Sequence, residues 1–315
     1  MAATKLWQPY RGIIDFKAFE SIYDKTFDEI KVQKDMAPRE GAQFFSERST
    51  NLETYKEGEM WSQMEVPQEN EDTDRIPLFS ALEGYNKSFT NIQYRSGFVI
   101  TRRAISAQKT RKIAALLKGL PSSTMKLEEL SYASIFNGGF ATETTGDGSY
   151  LFATDHYLED PQHGTWTNTP ASGAAFSSVT YFAAWLNLQQ RVDPLGFPAP
   201  QKASAVYYNV AKQEDVSKVH GSDLYPQNSL NAKLDPLFSS FRMVPGHWLT
   251  STDPWFVQGS DDEADKGLVI VWELKPQYDN LKDTMNPGIV MGKCVTMAFS
   301  VGAIHGRNWY GNPGT

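Results

Sequence analysis

The chain of 315 residues has a single cysteine, Cys294, so no intrachain disulfide can form. The residues around it, GIVMGKCVTMAFSVGA, are typical of a buried strand rather than of a reactive thiol site. The sequence also lacks the HExxH and CxxC spacings that common zinc sites use. We therefore exclude a disulfide framework and predict neither a metal nor any other cofactor.

Long apolar runs and an excess of positive charge are also missing. No apolar run approaches the roughly 18 residues that span a bilayer, and the first residues lack a hydrophobic signal core. We therefore expect a protein that is made and used inside a cell, with no membrane partner. The formal net charge is −7. Because nucleic-acid binding depends on clustered cations, we expect DNA as a neighbour of this protein rather than as a specific ligand.

Apolar and aromatic side chains are present in the amounts expected of a folded protein. The hydrophobic fraction of 40% and the charged fraction of 21% exclude a disordered or collagen-like chain. Eight Trp and fourteen Tyr residues supply large amphipathic surfaces, which favour a subunit of an assembly. The length fits two domains, or one elongated domain with long excursions.

The stretch GDGSYLFATDHYLED, residues 146–160, places Asp155 beside His156, with Asp160 and His163 close behind. A carboxylate next to an imidazole can support proton transfer or zinc binding, so a hydrolase that uses Asp155 and His156 is one hypothesis. Neighbouring residues of an extended segment point to opposite sides, however, and Asp155 is then poorly placed to orient His156. Flanking glycines and a proline favour the alternative, an ordered polar loop.

Helical and strand patterns divide the first half of the chain. An amphipathic helix is predicted where DFKAFESIYDKTFDEI has apolar residues at helical spacing, and its stripe is expected to dock on the protein's own core. Next, TYKEGEMWSQMEV and KSFTNIQYRSGFVITRR are predicted as strands that flank the acidic segment EVPQENEDTDRIP. Because a two-stranded ribbon is marginal in water, this excursion is expected to rest on an adjacent subunit.

A long helical region is predicted over residues 105–137. Pro121 should break or kink it, and Ser122 or Ser123 should cap a second helix that ends at Gly138. Farther along, SVTYFAAWLNLQQRV is predicted to be a helix capped by Ser177 or Ser178. The last third contains the strand-like runs WFVQG, KGLVIVWEL and CVTMAFSVGAI, so the chain mixes α and β structure.

Five motifs in order carry a family resemblance. They are IQYRSGFVITRRAIS, LEELSYASIFNGGF, GDGSYLFATDHYLED followed by GTWTN, PWFVQG, and the closing GAIHGRNWYGNPG. In this order they resemble tailed-bacteriophage major capsid proteins with the Hong-Kong-97-like fold, nearest to the Mu-like major head subunits. The resemblance runs from about Gly41 to the end. The sequence departs from the family pattern at Pro121 and in the basic stretch after TRRAIS.

The resemblance implies an α+β capsid fold and a structural role for the His156 region. Thr154, Asp155 and His156 would form a hydrogen-bonded elbow that leads into an axial domain, without catalysis. The implied division of the chain is an N-terminal arm with an amphipathic helix (1–48), an extended two-stranded loop (49–95), a peripheral domain with the spine helix and the C-terminal strands (96–144 and 251–315), and an axial domain (145–250).

The resemblance also implies a function in assembly. The chain would associate with itself as hexamers and pentamers to form the icosahedral head of a tailed phage, enclosing double-stranded DNA without binding it specifically. Scaffolding, portal and cement proteins are the further partners that the resemblance allows, with a separate scaffolding protein expected. The protein would be found in the virion and, during assembly, in the host cytoplasm. A nanocompartment shell of the same fold is the alternative.

Two sets of side chains are candidates for contacts between subunits. In this family the extended loop lies across the neighbouring spine helix, so an acidic loop tip and a basic helix entry could attract each other; the alternative is that both are solvated faces. The residues are Glu65, Glu69, Glu71, Asp72 and Asp74 at the tip, and Arg102, Arg103, Lys109, Arg111 and Lys112 at the entry.

A covalent cross-link between a loop Lys and an Asn of a neighbour occurs in part of the family. Here Lys56 and Lys87 flank the loop, and Asn308 and Asn312 lie near the C-terminus. No motif determines how they would pair, and we predict no cross-link.

Overall fold

The structure is a computed structural model that describes residues 16–35, 39–61, 82–101, 103, 110–158, 164–193, 197–220, 241–259, 266–281 and 289–315. The helices are α1 (Phe16–Asp35), α2 (Thr110–Gly138), α3 (Ser178–Gln189) and α4 (Gln213–His220). The strands are β1 (Ser46–Ser49), β2 (Thr54–Trp61), β3 (Leu82–Thr90), β4 (Ile92–Thr101), β5 (His156–Tyr157), β6 (Thr165–Trp166), β7 (Ala205–Asn209), β8 (Arg242–Gly246), β9 (Trp255–Gln258), β10 (Leu268–Leu281), β11 (Ile289–Ala303) and β12 (Trp309–Asn312).

The chain divides into two compact units, each built from separate parts of the sequence. The first unit comprises Met1–Arg39, Ile92–Glu129 and Trp272–Phe299. The second comprises Glu40–Asn91, Leu130–Val271 and Ser300–Thr315. The four-part division that the resemblance implies remains a prediction.

In the first unit, β4 pairs antiparallel with β11 from Ile92 opposite Phe299 to Thr101 opposite Ile289. The other neighbour of β11 is β10. Helix α1 buries Tyr23 and Phe27 in the core of this unit, which confirms that its apolar stripe docks on the protein's own core. The other buried members of that core are Ile100, Ile113, Leu117, Leu120 and Val295.

Helix α2 contradicts a break at Pro121 and the separately capped second helix predicted after it. It runs without a break from Thr110 to Gly138, with the proline inside. Proline removes one backbone donor, but Leu117 and Leu120 are held in the core beside it, so packing keeps the helix together. The Ser122 hydroxyl donates back to the Lys118 carbonyl at 2.8 Å and caps no new helix. The predicted end at Gly138 is confirmed.

The second unit is built on a mixed sheet in the order β12-β9-β7-β8. Strands β7 and β8 are parallel, whereas β9 is antiparallel to β7 and to β12. Helix α3 begins with the predicted cap, because the Ser177 hydroxyl accepts from the Thr180 backbone amide at 3.2 Å. In return, the Ser177 backbone amide donates to the Thr180 hydroxyl at 2.9 Å. Its buried face packs Tyr181, Ala184 and Leu188 into a core with residues of this sheet.

An aromatic cluster lies on another side of the same unit. Phe136 of α2 is 1% exposed and has its ring centroid 4.9 Å from Tyr207, 5.0 Å from Trp309 and 5.1 Å from Phe256. Phe44 packs beside it at 5.9 Å. Edge and tilted ring contacts of this kind add to the burial of apolar area, so the cluster ties the end of α2 to the sheet.

The predicted excursion is a two-stranded ribbon over its described part. Strands β2 and β3 pair antiparallel from Thr54 opposite Thr90 to Trp61 opposite Leu82. The second flank, predicted as one strand, is in fact two, because the chain breaks at Asn91. The Asn91 backbone N–H donates to Glu53 O at 2.8 Å, and its side-chain Nδ2 donates to Leu52 O at 3.1 Å. This residue therefore closes the base of the ribbon. Among the described helices, none has the length and apolar character needed to cross a membrane.

Candidate functional site

The short β5–β6 ribbon of the second unit holds the histidine that the sequence singled out. His156 lies opposite Trp166 in this ribbon and is fully buried. Thr154 and Asp155, the other two residues of the predicted elbow, are exposed. Because the chain is extended here, Asp155 lies on the opposite side from His156 and does not orient it.

The carboxylate that contacts His156 belongs to Asp147, nine residues earlier. The His156 Nδ1 atom is 2.8 Å from Asp147 Oδ2. The other carboxylate oxygen accepts from the Thr145 hydroxyl and, at 3.1 Å, from the Ser149 backbone amide. Burial alone would raise the pKa of Asp147, but the hydrogen bonds from His156, Thr145 and Ser149 together lower it below its ordinary value. Asp147 is therefore held as a carboxylate.

Asn168 completes this elbow cluster of Asp147, His156 and Asn168. Its Oδ1 lies 3.2 Å from His156 Nε2 and accepts from the Ala153 backbone amide at 2.9 Å. Its Nδ2 donates to Leu151 O at 2.7 Å and to Gly306 O at 3.2 Å. Asn168 is fully buried. One side chain thus connects β5, the residues after β6 and the C-terminal segment.

The indole of Trp166 packs against this cluster and against two cations. The His156 ring stacks on it at 4.3 Å with an interplanar angle of 15°. The guanidinium of Arg191 lies 4.7 Å from the same indole, and that of Arg307 lies 5.6 Å away. Arg191 donates to Thr167 O and to Trp309 O. Burial, with the nearby charge of Arg307, lowers the pKa of Arg191 to about 9.

This arrangement suits a rigid joint better than a catalytic site. A general base needs a free nitrogen within reach of its substrate, yet both ring nitrogens of His156 already contact the side chains of Asp147 and Asn168. Within the described ranges, no group of three or more His, Cys, Asp or Glu side chains could hold a metal ion. Cys294 lies in β11, half-buried, and its Sγ donates to Asp279 O at 3.7 Å.

Sequence reasoning did not identify Asp147 as the partner of His156. Asp147 follows Gly146 in a turn that also contains Gly148 at a φ of +85°, where a residue with a side chain would be strained. That glycine-rich turn was the available signal, because Asp side chains in turns bond to nearby backbone amides. Asn168 belongs to the GTWTN motif, which the resemblance had singled out without a role.

The predicted loop-tip contact falls mostly outside the described residues. None of the five acidic tip residues, nor Arg102 and Lys109, belongs to the described part. Arg103 is exposed, and the backbone of Arg111 and Lys112 lies in the first turn of α2 while their side chains are not described. The described residues therefore do not test this contact, and it remains a prediction.

The side chains considered for cross-linking have contacts within their own chain. Lys87 of β3 contacts Glu143 at 3.4 Å and donates to Thr144 O. Asn308 and Asn312 are buried, with exposures of 6% and 2%. The Asn308 Oδ1 accepts from Gln201 at 2.6 Å, and the Asn312 Oδ1 accepts from the Ala174 amide at 2.9 Å. Lys56 is exposed on β2.

Sequence comparison finds no related protein: no family model matches the chain, and no curated protein sequence matches it. Comparison of structures does find similar molecules. A procapsid structure of bacteriophage JBD30 is 13% identical, with a TM-score of 0.50, over 94% of this chain and 75% of that chain. The capsid of cyanophage P-SCSP1u is 9% identical, with a TM-score of 0.54, over 87% of this chain and 88% of the other. A virus-like particle from Pyrococcus furiosus is 8% identical, with a TM-score of 0.50, over 91% of this chain and 98% of that chain.

Proposed function

We propose that this chain, which has the α+β fold of the Hong-Kong-97-like phage capsid proteins, is the subunit of a closed protein shell. The fold predicted from the order of the motifs is confirmed by its likeness to capsid structures. The observation that carries the proposal is the extent of that likeness, which covers 94% of the chain in the phage procapsid. Fold by itself leaves function open.

The finer proposal is the major capsid protein of a tailed phage, arranged as hexamers and pentamers around double-stranded DNA. It is supported by the five phage-like motifs in order and by the net charge of −7, since a lining that bound phosphates tightly would oppose packaging and release. The test is electron microscopy of the expressed chain, followed by nucleic-acid analysis of particles from the native source. Icosahedral particles with DNA are expected; a chain that stays monomeric at all concentrations and salts would refute the shell.

A nanocompartment shell is the second candidate, favoured by the likeness to the Pyrococcus furiosus virus-like particle over 98% of that chain. The two candidates differ in what the particle contains. Mass spectrometry and nucleic-acid quantification on particles from the native source separate them. Packaged enzymes without nucleic acid would favour the nanocompartment over the phage head. The more general proposal of a closed protein shell would still hold.

Within the shell, we assign a structural rather than a catalytic role to Thr154, Asp155 and His156. The support is the elbow cluster, in which both ring nitrogens of His156 are occupied. The change His156→Ala should impair folding or shell formation. A variant that assembles normally but loses a hydrolytic activity of the parent protein, measured with a series of metals, would overturn this assignment.

The subunits are expected to remain without covalent cross-links. Lys87 is engaged with Glu143 and Thr144, and the carboxamides of Asn308 and Asn312 are buried and bonded, so neither Asn is presented to a neighbour. Particles boiled in denaturant should run as a single monomer band on a gel. A ladder of covalent multimers would contradict the prediction.

The acidic loop tip is proposed to contact the basic entry of α2 on a neighbouring subunit. Exposed ion pairs each contribute only about 0 to 1 kcal/mol, so the contact depends on several pairs repeated at every interface and should weaken with salt. Changing Glu71, Asp72 and Asp74 together to Lys should block or loosen assembly while the monomer stays folded. Reversing Arg102, Arg103 and Arg111 to Glu in the same chain should partly restore it.

A matched control shows whether an effect on assembly comes from the position of the changed residues or only from the change in net charge. The changes Glu214→Lys, Glu273→Lys and Asp279→Lys alter the net charge by the same amount at exposed positions elsewhere, and they should leave assembly intact. Assembly is followed by light scattering at low salt. If the loop variant assembles as well as the parent, the acidic tip is a solvated face.

A further inference from the structure

Helix α3 of the second unit has apolar side chains on both of its sides. Its inward side packs against the sheet of this unit. On its outward side Val179, Phe182 and Leu186 are 59%, 45% and 40% exposed, and Ala183 between them is exposed as well. These four residues follow each other at the spacing i, i+3, i+4 and i+7, so they form one continuous stripe along the helix. We call this stripe the α3 outer face.

An aromatic pair stiffens the α3 outer face. The rings of Phe182 and Trp185 are stacked, with centroids 5.5 Å apart and an interplanar angle of 26°. Trp185 is partly buried and packs against the core of the unit, so it holds the Phe182 ring in place. A side chain that is already ordered loses little conformational freedom when another surface covers it. The pair is therefore suited to anchor a contact with another protein surface.

The composition of α3 excludes several kinds of partner. The helix sequence, SVTYFAAWLNLQ, contains no charged residue in 12 positions. Nucleic acids and anionic membrane surfaces are held by cations, which this helix does not supply. A helix that is apolar on all sides is typical of the interior of a protein or of an assembly. The partner that fits the α3 outer face is therefore an apolar protein surface.

The size of the α3 outer face restricts the partner further. At a rise of about 1.5 Å per residue the helix is about 18 Å long, and its outer face covers on the order of 200 Å². A stable complex of two proteins buries about 800 Å² on each partner. The face is therefore too small to hold a protein that binds nowhere else. It suits copies of one subunit, because in a closed assembly these meet on several faces at once.

We propose that the α3 outer face is a subunit interface, which a second copy of this chain covers when the shell forms. This interface rests on the proposed function of the chain as a shell subunit, and it names a surface through which the subunits meet. In a ring of subunits the contact is head-to-tail, so the face meets a different surface of its neighbour rather than another α3. Covering Phe182 and the residues beside it removes apolar area from water and favours association.

The change Leu186→Glu in the full chain tests this interface. A carboxylate at that position stays in water in the dispersed subunit but must lose this water against an apolar neighbour, so the subunit concentration at which light scattering detects particles should rise at least about tenfold. The matched control is Leu130→Glu, the same change at a leucine of α2 that is 50% exposed, and it should assemble at the concentration of the parent protein. Val179→Glu places the charge in the first turn of α3, where the helix dipole favours it, and replaces Leu186→Glu if that variant fails to fold.

Urea unfolding of the dispersed subunits shows which surface covers the α3 outer face. With a second copy as the cover, the unfolding midpoint of Leu186→Glu equals that of the parent protein and only assembly is lost. A lowered midpoint in both Leu186→Glu and Val179→Glu would show that the same chain covers the face, and it would overturn the interface. Assembly of Leu186→Glu at the parent concentration, or an equal loss in Leu130→Glu, would overturn it too. These outcomes leave the shell function unaffected, whereas a parent chain that forms no particles refutes the shell and the interface with it.

Discussion

Replacing Asn168 by Leu removes the polar centre of the elbow cluster while keeping the number and branching of the side-chain heavy atoms. Four polar groups lose their partner: Leu151 O, Gly306 O, the Ala153 amide and His156 Nε2. Asn168 is fully buried, so water does not replace the lost bonds without rearrangement.

The size of the effect follows from these four groups. Each buried polar group left unsatisfied costs about 1 to 3 kcal/mol, so Asn168→Leu should lower the free energy of unfolding by at least about 4 kcal/mol. That is a large part of the roughly 5 to 15 kcal/mol by which a native domain is stable, and the variant should be partly unfolded at 37 °C.

The assay is urea unfolding of dispersed subunits followed by tryptophan fluorescence, with Trp166 as the nearest reporter. The matched control is Asn187→Leu in α3, where the same substitution removes the hydrogen bond of 3.2 Å from Nδ2 to Thr167 O and should cost about 1 kcal/mol. If Asn168→Leu costs no more than Asn187→Leu, the elbow cluster does not hold the fold and the reasoning fails.

Three further changes test other parts of the structure. Phe136→Ala should lower the free energy of unfolding by about 3 to 5 kcal/mol by leaving a cavity among aromatic rings, and a cost below about 1 kcal/mol in urea unfolding would mean that the cluster is loosely packed. Asp147→Asn should flatten the loss of stability on acidification, because the carboxylate contributes above its ordinary pKa of 3.8 and this contribution disappears as the pH falls; an unchanged acid limb in thermal melts would contradict its lowered pKa. Pro121→Ala should leave helicity by circular dichroism unchanged without lowering the melting temperature, whereas a loss of helicity would show that the proline shapes α2.

Local chemistry explains what the sequence predicted by itself. The apolar spacing of α1 identified Tyr23 and Phe27 as core residues, and Ser177 marked the start of α3, because both signals depend on residues within one or two helical turns. Likewise the runs that became β9, β10 and β11 were recognisable from their composition. The motif order then identified the capsid fold, although no single motif is specific.

Tertiary structure decided what depends on distant residues. Pro121 stays inside α2 because Leu117 and Leu120 are held in a core that local propensity does not describe. The chain breaks at Asn91 because that side chain bonds Leu52, 39 positions away. His156 takes Asp147 and Asn168 as partners, rather than adjacent Asp155, because the β5–β6 pairing buries one side of an extended segment. Asn168 in turn reaches Gly306 across 138 positions, a contact that spacing along the sequence cannot reveal.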